Sequence, residues 1–514
     1  AYNHDVTTAP ILSVSDLSVE TLKAGNQLLV QNFSITLHAG EILAIVGESG
    51  SGKSLACLAI MDLLPVALKR SRGSIEFNGR QLSHLSDVEL SAYRGRKVAY
   101  VFQDPFQCLN PVLSLFAQLN EVYSAHFPSL SMSERFSRAV DLLNDLGLND
   151  VASSNLKDRY PHQLSGGQRQ RFLLALSLAA EPDVLIADEI TTALDPKTQG
   201  SVIQLLKNMS EQRNFALIFI SHDILLSKAI SDSIVVMEKG EVIENGDFAD
   251  VWSNPKATQT KRLIEAATKP HLPNQSGTNP DLALSARGLE IYYRVPRIFG
   301  RAKLKRAVSG IDFDLKRGQT LAIVGKSGSG KTTIGRAICG LAHQLGGKLS
   351  LHLDNEIVDL AAQDSQSLRA YRKHVSMVFQ DPVASLNPMM SVAESVAEPF
   401  LVHTSLSSSQ RTQRANSLLH EVGLEPAKYA TRRPSELSGG QCQRVAIARA
   451  LALDPKVVVC DEAISSLDIP SQHEIIELLT RLQEQRGLSY IFISHDLQLV
   501  DNIAHQILSL DEQH

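Results

Sequence analysis

Three pairs of short apolar runs recur along this chain, and each run stops at a polar string equipped for chemistry. Ile42 to Val46 and Leu321 to Val324 lead into glycine-rich loops. Val184 to Ala187 and Val457 to Cys460 end at Asp188-Glu189 and Asp461-Glu462, and Ala216 to Ile220 and Tyr490 to Ile493 end at Ser-His-Asp. Apolar runs of this length, bounded by turn residues, read as buried strands. A helix-like stretch follows each glycine-rich loop.

The pairing extends over most of the chain. Gly47 recurs as Gly325, Gln103 as Gln380, LLNDLGL at 142–148 as LLHEVGL at 418–424, and LSGGQ at 164–168 as LSGGQ at 437–441. The offset falls from 278 to 273 along the way, as short loop deletions would make it. That period is far longer than a solenoid repeat, so each copy is expected to be a domain. The expected boundaries are 1–265 for the first copy with a short C-terminal tail, and 286–514 for a second copy without it. Residues 266–285, rich in Pro, Asn, Ser and Gly, read as a linker.

Each loop fits G-x-x-x-x-G-K-[ST]. The first is Gly47, Glu48, Ser49, Gly50, Ser51, Gly52, Lys53 and Ser54. The second is Gly325, Lys326, Ser327, Gly328, Ser329, Gly330, Lys331 and Thr332, followed by Thr333. Between a strand and a helix, such a loop turns backbone N–H groups and a helix N-terminus toward phosphate oxygens. Lys53 and Lys331 add a point charge for the terminal phosphates, and Ser54 and Thr332 a hydroxyl for magnesium. An Asp at a strand end can hold the metal shell, and the Glu after it can take a proton from an attacking water. Asp188 and Asp461 are therefore the candidate metal residues and Glu189 and Glu462 the candidate bases. Ser165, Gly166, Gly167 and Gln168, with Ser438, Gly439, Gly440 and Gln441, open a further helix in each copy, a second anion-binding terminus. One domain has no use for two such sites on one nucleotide, whereas two domains facing head to tail do.

These strings resemble the ATPase domains of the ATP-binding cassette family over nearly the whole chain. The resemblance implies an α/β fold of two tandem P-loop domains, each with a RecA-like core sheet, an antiparallel β subdomain and a helical subdomain. It implies ATP and Mg2+ as cofactors and ATP sandwiched between the loop of one copy and the LSGGQ of the other, both sites lying within one chain. It gives Gln103 and Gln380 a metal and catalytic role, His222 and His495 the γ-phosphate, and Asp195 and Asp468 a link between sites. Members stack an aromatic ring on adenine about 30 residues before the loop lysine. Tyr293 fits that role in the second copy, whereas Thr21 stands at the aligned place in the first, a departure that bears on nucleotide affinity there.

Composition narrows the setting. Hydrophobic content of 43% and charged content of 20% are globular values. A net charge of −5 argues against nucleic acid as the main partner. Five cysteines form no metal spacing, which fits a reducing compartment. No apolar run reaches 18 residues, and no basic segment leads into an apolar core near the start, so neither a membrane span nor a secretory signal is expected.

VFQDPFQCLNP at 101–111, VFQDPVASLNP at 378–388 and YPHQLSGGQRQR at 160–171 look like the oligopeptide, dipeptide and nickel importer branch. That likeness implies an ATPase peripheral to the cytoplasmic face of the inner membrane. Its partners would be two membrane-spanning permease subunits and a periplasmic solute-binding protein, and its cargo peptides or a related small solute, nickel or a metal chelate included. The rival reading is a soluble twin-cassette ATPase acting on ribosomes. The basic stretch Arg294 to Arg306 favours it, and the short connector and acidic balance oppose it.

Overall fold

The computed structural model describes every residue outside 1–8, 23–26, 49, 83–84, 86, 104, 154–155, 192–195, 269–280, 296–302, 327, 342–344, 355, 361–364, 465–466, 468, 495 and 511–514. The chain forms two compact units that divide after Thr268.

The first unit is built round a six-stranded sheet. Its order is Glu241–Asp247, Ser233–Glu238, Ile42–Val46, Ala216–Ser221, Val184–Asp188, Val98–Val101. All neighbours are parallel except the Glu241–Asp247 hairpin, which is antiparallel to Ser233–Glu238. Ile42–Val46, Ala216–Ser221 and Val184–Asp188 are buried at every position. Their unbroken apolar character follows, because a parallel sheet is covered on both faces. A second sheet is antiparallel, in the order Leu28–Leu37, Leu12–Thr21, Leu68–Phe77, Arg80–Gln81. Its inward residues Leu12, Val14, Leu17, Phe33 and Ile75 share one core with Ile45, Ile186 and Ile218 of the parallel sheet.

Helices Leu115–His126, Met132–Asp145 and Gly166–Leu178 carry a separate core through Leu119, Leu142, Leu143 and Phe172. The repeated LLNDLGL string closes the middle helix. Gly147 takes φ 66°, the left-handed cap that favours glycine, and Arg171 Nη1 donates to its carbonyl at 3.0 Å. In the second unit Gly423 takes φ 79° and Arg444 Nη1 reaches the neighbouring Val422 carbonyl at 2.8 Å.

The second unit repeats the plan. Its core sheet has five described strands, all parallel, in the order Val375–Val378, Val457–Asp461, Ser489–Ile493, Thr320–Val324, Gln506–Ser509. Its antiparallel sheet runs Lys303–Lys316, Leu282–Val295, Leu345–His352, Ile357–Asp359. Helices Val392–His403, Ser408–Glu421 and Gly439–Ala450 pack through Val396, Leu419 and Cys442. The parallel sheets, antiparallel sheets and helical segments expected of the fold class are therefore present in both units.

The short C-terminal tail expected of the first copy consists of helices Phe248–Ser253 and Thr258–Thr268. The second helix continues past residue 265, and strand Leu282–Val295 starts before residue 286. Residues 269–280, the middle of the expected linker, lie outside the described residues. Cys57, Cys339, Cys442 and Cys460 are buried and Cys108 is exposed. No described helix is long and apolar enough to cross a membrane.

Candidate functional site

In an open parallel sheet, ligands settle beyond the carboxyl ends of the strands. The loop, carboxylate, histidine and glutamine candidates of the first unit sit on that edge. The loop leaves Ile42–Val46, Asp188-Glu189 ends Val184–Asp188, His222 follows Ala216–Ser221, and Gln103 follows Val98–Val101. The second unit repeats this with Lys331, Asp461-Glu462 and Gln380. Ser49, Ser327, His495, Asp195 and Asp468 lie outside the described residues.

Two features force glycine into the loops. A Cβ on Gly47 would come within 2.3 Å of the Met237 carbonyl oxygen. Gly52 and Gly330 cap the following helices, Lys53–Ile60 and Lys331–Ile338, at φ 97° and 99°, where a side chain is strained. Lys53 and Lys331 are 3% and 5% exposed and fold back over their loops. Lys53 Nζ donates to the carbonyls of Gly47 and Glu48, both at 2.8 Å. Lys331 Nζ donates to those of Gly325 and Lys326, at 2.6 and 2.9 Å. Each ammonium is thus held in the loop that the sequence assigns to phosphate.

Ser54 Oγ donates to Asp188 Oδ1 at 3.0 Å, and Thr332 Oγ1 donates to Asp461 Oδ1 at 3.0 Å. One hydroxyl and one carboxylate make a hard oxygen donor set, which suits Mg2+ completed by water and phosphate. No group of three or more His, Cys, Asp or Glu that could cage a metal occurs among the described residues. Burial raises the pKa of both aspartates, with the neighbouring glutamate charge adding to it. Hydrogen bonds from Tyr100 and Ser54, or from Thr332, offset part of that rise.

Glu189 and Glu462 both sit at φ 46°. This is a left-handed conformation uncommon outside glycine, of the strained kind that clusters at functional sites. Their amides nevertheless continue the sheet ladder, to Ile220 O at 3.0 Å and Ile493 O at 2.9 Å. Gln103 Nε2 donates to Glu189 Oε2 at 2.8 Å, and Gln380 Nε2 to Glu462 Oε2 at 2.7 Å. His222 Nδ1 is 3.7 Å and Lys53 Nζ 3.9 Å from Glu189 Oε1. Burial pushes the Glu189 pKa up, but His222 and Lys53 outweigh it and hold the carboxyl below the usual glutamate value. Glu189 is therefore ionised near neutrality, the form a proton acceptor needs.

The signature serines are helix caps. Ser165 and Ser438 each form a capping box with Gln168 and Gln441, accepting the glutamine N–H at 3.3 Å. Gly166, Gly167, Gly439 and Gly440 form the first turns of those helices.

Tyr293 and Thr21 are structural equivalents. Asp16 and Gly288, both left-handed at φ 51° and 53°, mark the same kink in strands Leu12–Thr21 and Leu282–Val295, and Thr21 and Tyr293 each lie five residues on. Tyr293 is 42% exposed, and its hydroxyl meets Thr333 Oγ1 at 2.7 Å.

Two participants escaped the sequence reading. Tyr100 OH donates to Asp188 Oδ2 at 2.6 Å. The contrast of VAYVFQ with VSMVFQ was visible, but no motif marks that position. Gln259, in tail helix Thr258–Thr268, hydrogen-bonds Glu48 of the first loop. Nothing in the spacing of residues 48 and 259 announces that contact.

The family described as ABC transporter matches residues 30–192 and 308–465. Over 509 residues the chain is 38% identical to the "Peptidoglycan transport ATP-binding protein YejF" of Agrobacterium fabrum, covering 98% of this chain and 91% of that protein. It is 38% identical to the "Glutathione import ATP-binding protein GsiA" of Salmonella paratyphi A, covering 98% and 85%. It is also 38% identical to the "Uncharacterized ABC transporter ATP-binding protein YejF" of Escherichia coli K12, covering 98% and 94%.

Proposed function

We propose, from the premise that this chain belongs to the ABC transporter family, that it is the ATP-hydrolysing subunit of an importer and energises the uptake of peptides or related small solutes. The chain is an ATPase with two cassettes, and it works with membrane permeases. The observation that carries the importer reading is likeness along 98% of the chain to proteins named for peptidoglycan transport and glutathione import. The ribosome-directed alternative receives no support from these relatives.

In the proposed mechanism residues 1–265 and 286–514 act as the two cassettes. ATP binds against Lys53 and Ser54 in one and Lys331 and Thr332 in the other, each covered by the signature helix of the opposite copy at Ser438 or Ser165. Mg2+, held by Ser54 and Asp188 or by Thr332 and Asp461, would offset the charge that builds on the phosphate oxygens. Glu189 and Glu462 accept a proton from the attacking water. Gln103 and Gln380 leave those glutamates to orient it, with His222 and His495 on the γ-phosphate. The hydrogen-bonded Gln–Glu pairs at 2.8 and 2.7 Å support this reading, since they put both side chains within reach of one water. We further place the chain on the cytoplasmic face of the inner membrane. Two permease subunits would dock near Gln103 and Gln380, and a periplasmic protein would deliver cargo.

The test is uptake of labelled short peptides by vesicles holding the chain with its permeases. ATP-dependent accumulation that is lost without Mg2+ is expected. ATP hydrolysis that no permease or peptide stimulates would overturn the importer reading and leave the ATPase standing.

A further inference from the structure

We propose that Tyr100 is a positioning residue of the first nucleotide site. Its phenol fixes one oxygen of Asp188 and leaves the other to Ser54 and the metal shell, an anchor the second site does without. The inference rests on the ATPase reading of that site and adds to it a built-in difference between the two copies.

The sheet register makes the comparison direct. Tyr100 pairs with Ile186 and Met377 with Val459, and two residues along each partner strand stand Asp188 and Asp461. The two positions are equivalent, yet one side chain carries a donor and the other a thioether. Tyr100 is 8% exposed and its hydroxyl meets Asp188 Oδ2 at 2.6 Å, the short range of a bond to a charged acceptor. Ser54 takes Oδ1 at 3.0 Å. Asp188 thus has a hydrogen bond on each oxygen and one defined orientation. In the second copy Thr332 takes Asp461 Oδ1 at 3.0 Å, and Met377 has no donor to offer Oδ2.

The layer beneath has changed in step. Four residues after the loop lysine the first copy has buried Cys57 and the second Gly335. A Cβ on Gly335 would lie 2.7 Å from Ile493 Cδ1, 3.1 Å from Val459 Cγ1 and 3.8 Å from Met377 Cε, so these three side chains together close the space the glycine leaves. The first copy therefore carries Tyr with Cys, and the second Met with Gly.

Partners that orient a metal-holding carboxylate set metal affinity, and their loss typically weakens it about 10–100-fold. The experiment is a Mn2+ titration of the full chain, followed by electron paramagnetic resonance, with a non-hydrolysable ATP analogue. Two bound ions are expected in the parent protein. Tyr100→Phe should weaken one of them about tenfold, leaving the other, and nucleotide binding without metal, unchanged. Unchanged affinity for both ions would overturn the proposal. So would equal weakening of both alongside a lower unfolding midpoint, the mark of a merely structural role. Should Tyr100→Phe not fold, Tyr100→Met with Cys57→Gly copies the second site's packing and must give the same single weakened ion. A parent chain that binds no Mn2+ with nucleotide would bring down the ATPase reading and this inference together, an outcome distinct from the others.

Discussion

Thr21 and Tyr293 show how much one side chain can decide. The strings DLSVETLK and GLEIYYRV aligned them, and the shared left-handed kink at Asp16 and Gly288 gives the alignment a physical basis. A hydroxyl on a β-carbon has no π-face, so Thr21 itself cannot supply the stacking surface proposed for Tyr293 at the second site. Stacking of a base on an aromatic ring contributes roughly 1–3 kcal/mol. Thr21→Tyr is expected to tighten nucleotide at the first site about tenfold, read by fluorescent-nucleotide titration in a chain whose second loop is disabled by Lys331→Ala. Unchanged affinity would mean that another group already covers the base. Motif spacing named Lys53, Asp188 and Glu189 as candidates, because phosphate and metal chemistry restricts which residues follow which strand, and the family resemblance added Gln103. It could not show φ 46° at Glu189 or the Tyr100 bond, since neither leaves a pattern along the chain.

Among the elements, the tail of the first unit has the most to add. Glu244, in strand Glu241–Asp247, accepts the N–H groups of Lys256 and Ala257 at 2.7 and 3.0 Å, just ahead of helix Thr258–Thr268. Leu263 and Ile264 then pack beside Phe248 and Trp252, the chain's single tryptophan. Burial would raise the pKa of Glu244, but its polar surroundings, the two backbone N–H groups among them, outweigh it and the pKa is lowered. A carboxyl with a lowered folded pKa stabilises the fold above its unfolded value, about 4.3, and that contribution is lost as pH falls through the folded value. Trp252 fluorescence is therefore expected to change with acid below the ordinary glutamate range, as the tail loosens. Glu244→Gln should abolish that step, and a step that survives the substitution would assign it elsewhere. Helix Thr258–Thr268 was only faintly legible in the sequence, because its order comes from Glu244 and Glu48, residues distant in the chain.

At the scale of the whole molecule the duplicated sequence, the matched sheet orders and the repeated edge residues agree. The fold class was readable from the apolar runs and the resemblance they brought into view. Both copies carry loop lysine, hydroxyl, aspartate, glutamate and glutamine in the same register. Both sites are therefore expected to hydrolyse ATP. Glu189→Gln and Glu462→Gln should each lower the rate at their own site by about 10²–10⁴-fold, the usual cost of removing a positioned base. Each should also stop uptake, because both sites are expected to drive it. Single-turnover ATPase and vesicle uptake of the two variants decide the matter. Normal uptake in the Glu189→Gln chain would mean that the first site regulates and does not drive transport.

The distribution of thiols has a practical consequence. Four of the five sulfurs are buried and Cys108 lies open, at the end of helix Pro105–Cys108 and five residues beyond Gln103. A maleimide reagent offered to the native chain should meet one thiol, so a probe can be attached beside the segment proposed to dock the first permease without altering a residue. Protection of that label on addition of permease would footprint the contact at the first copy alone. The second copy, with Ser385 in the corresponding place, stays dark as its internal control.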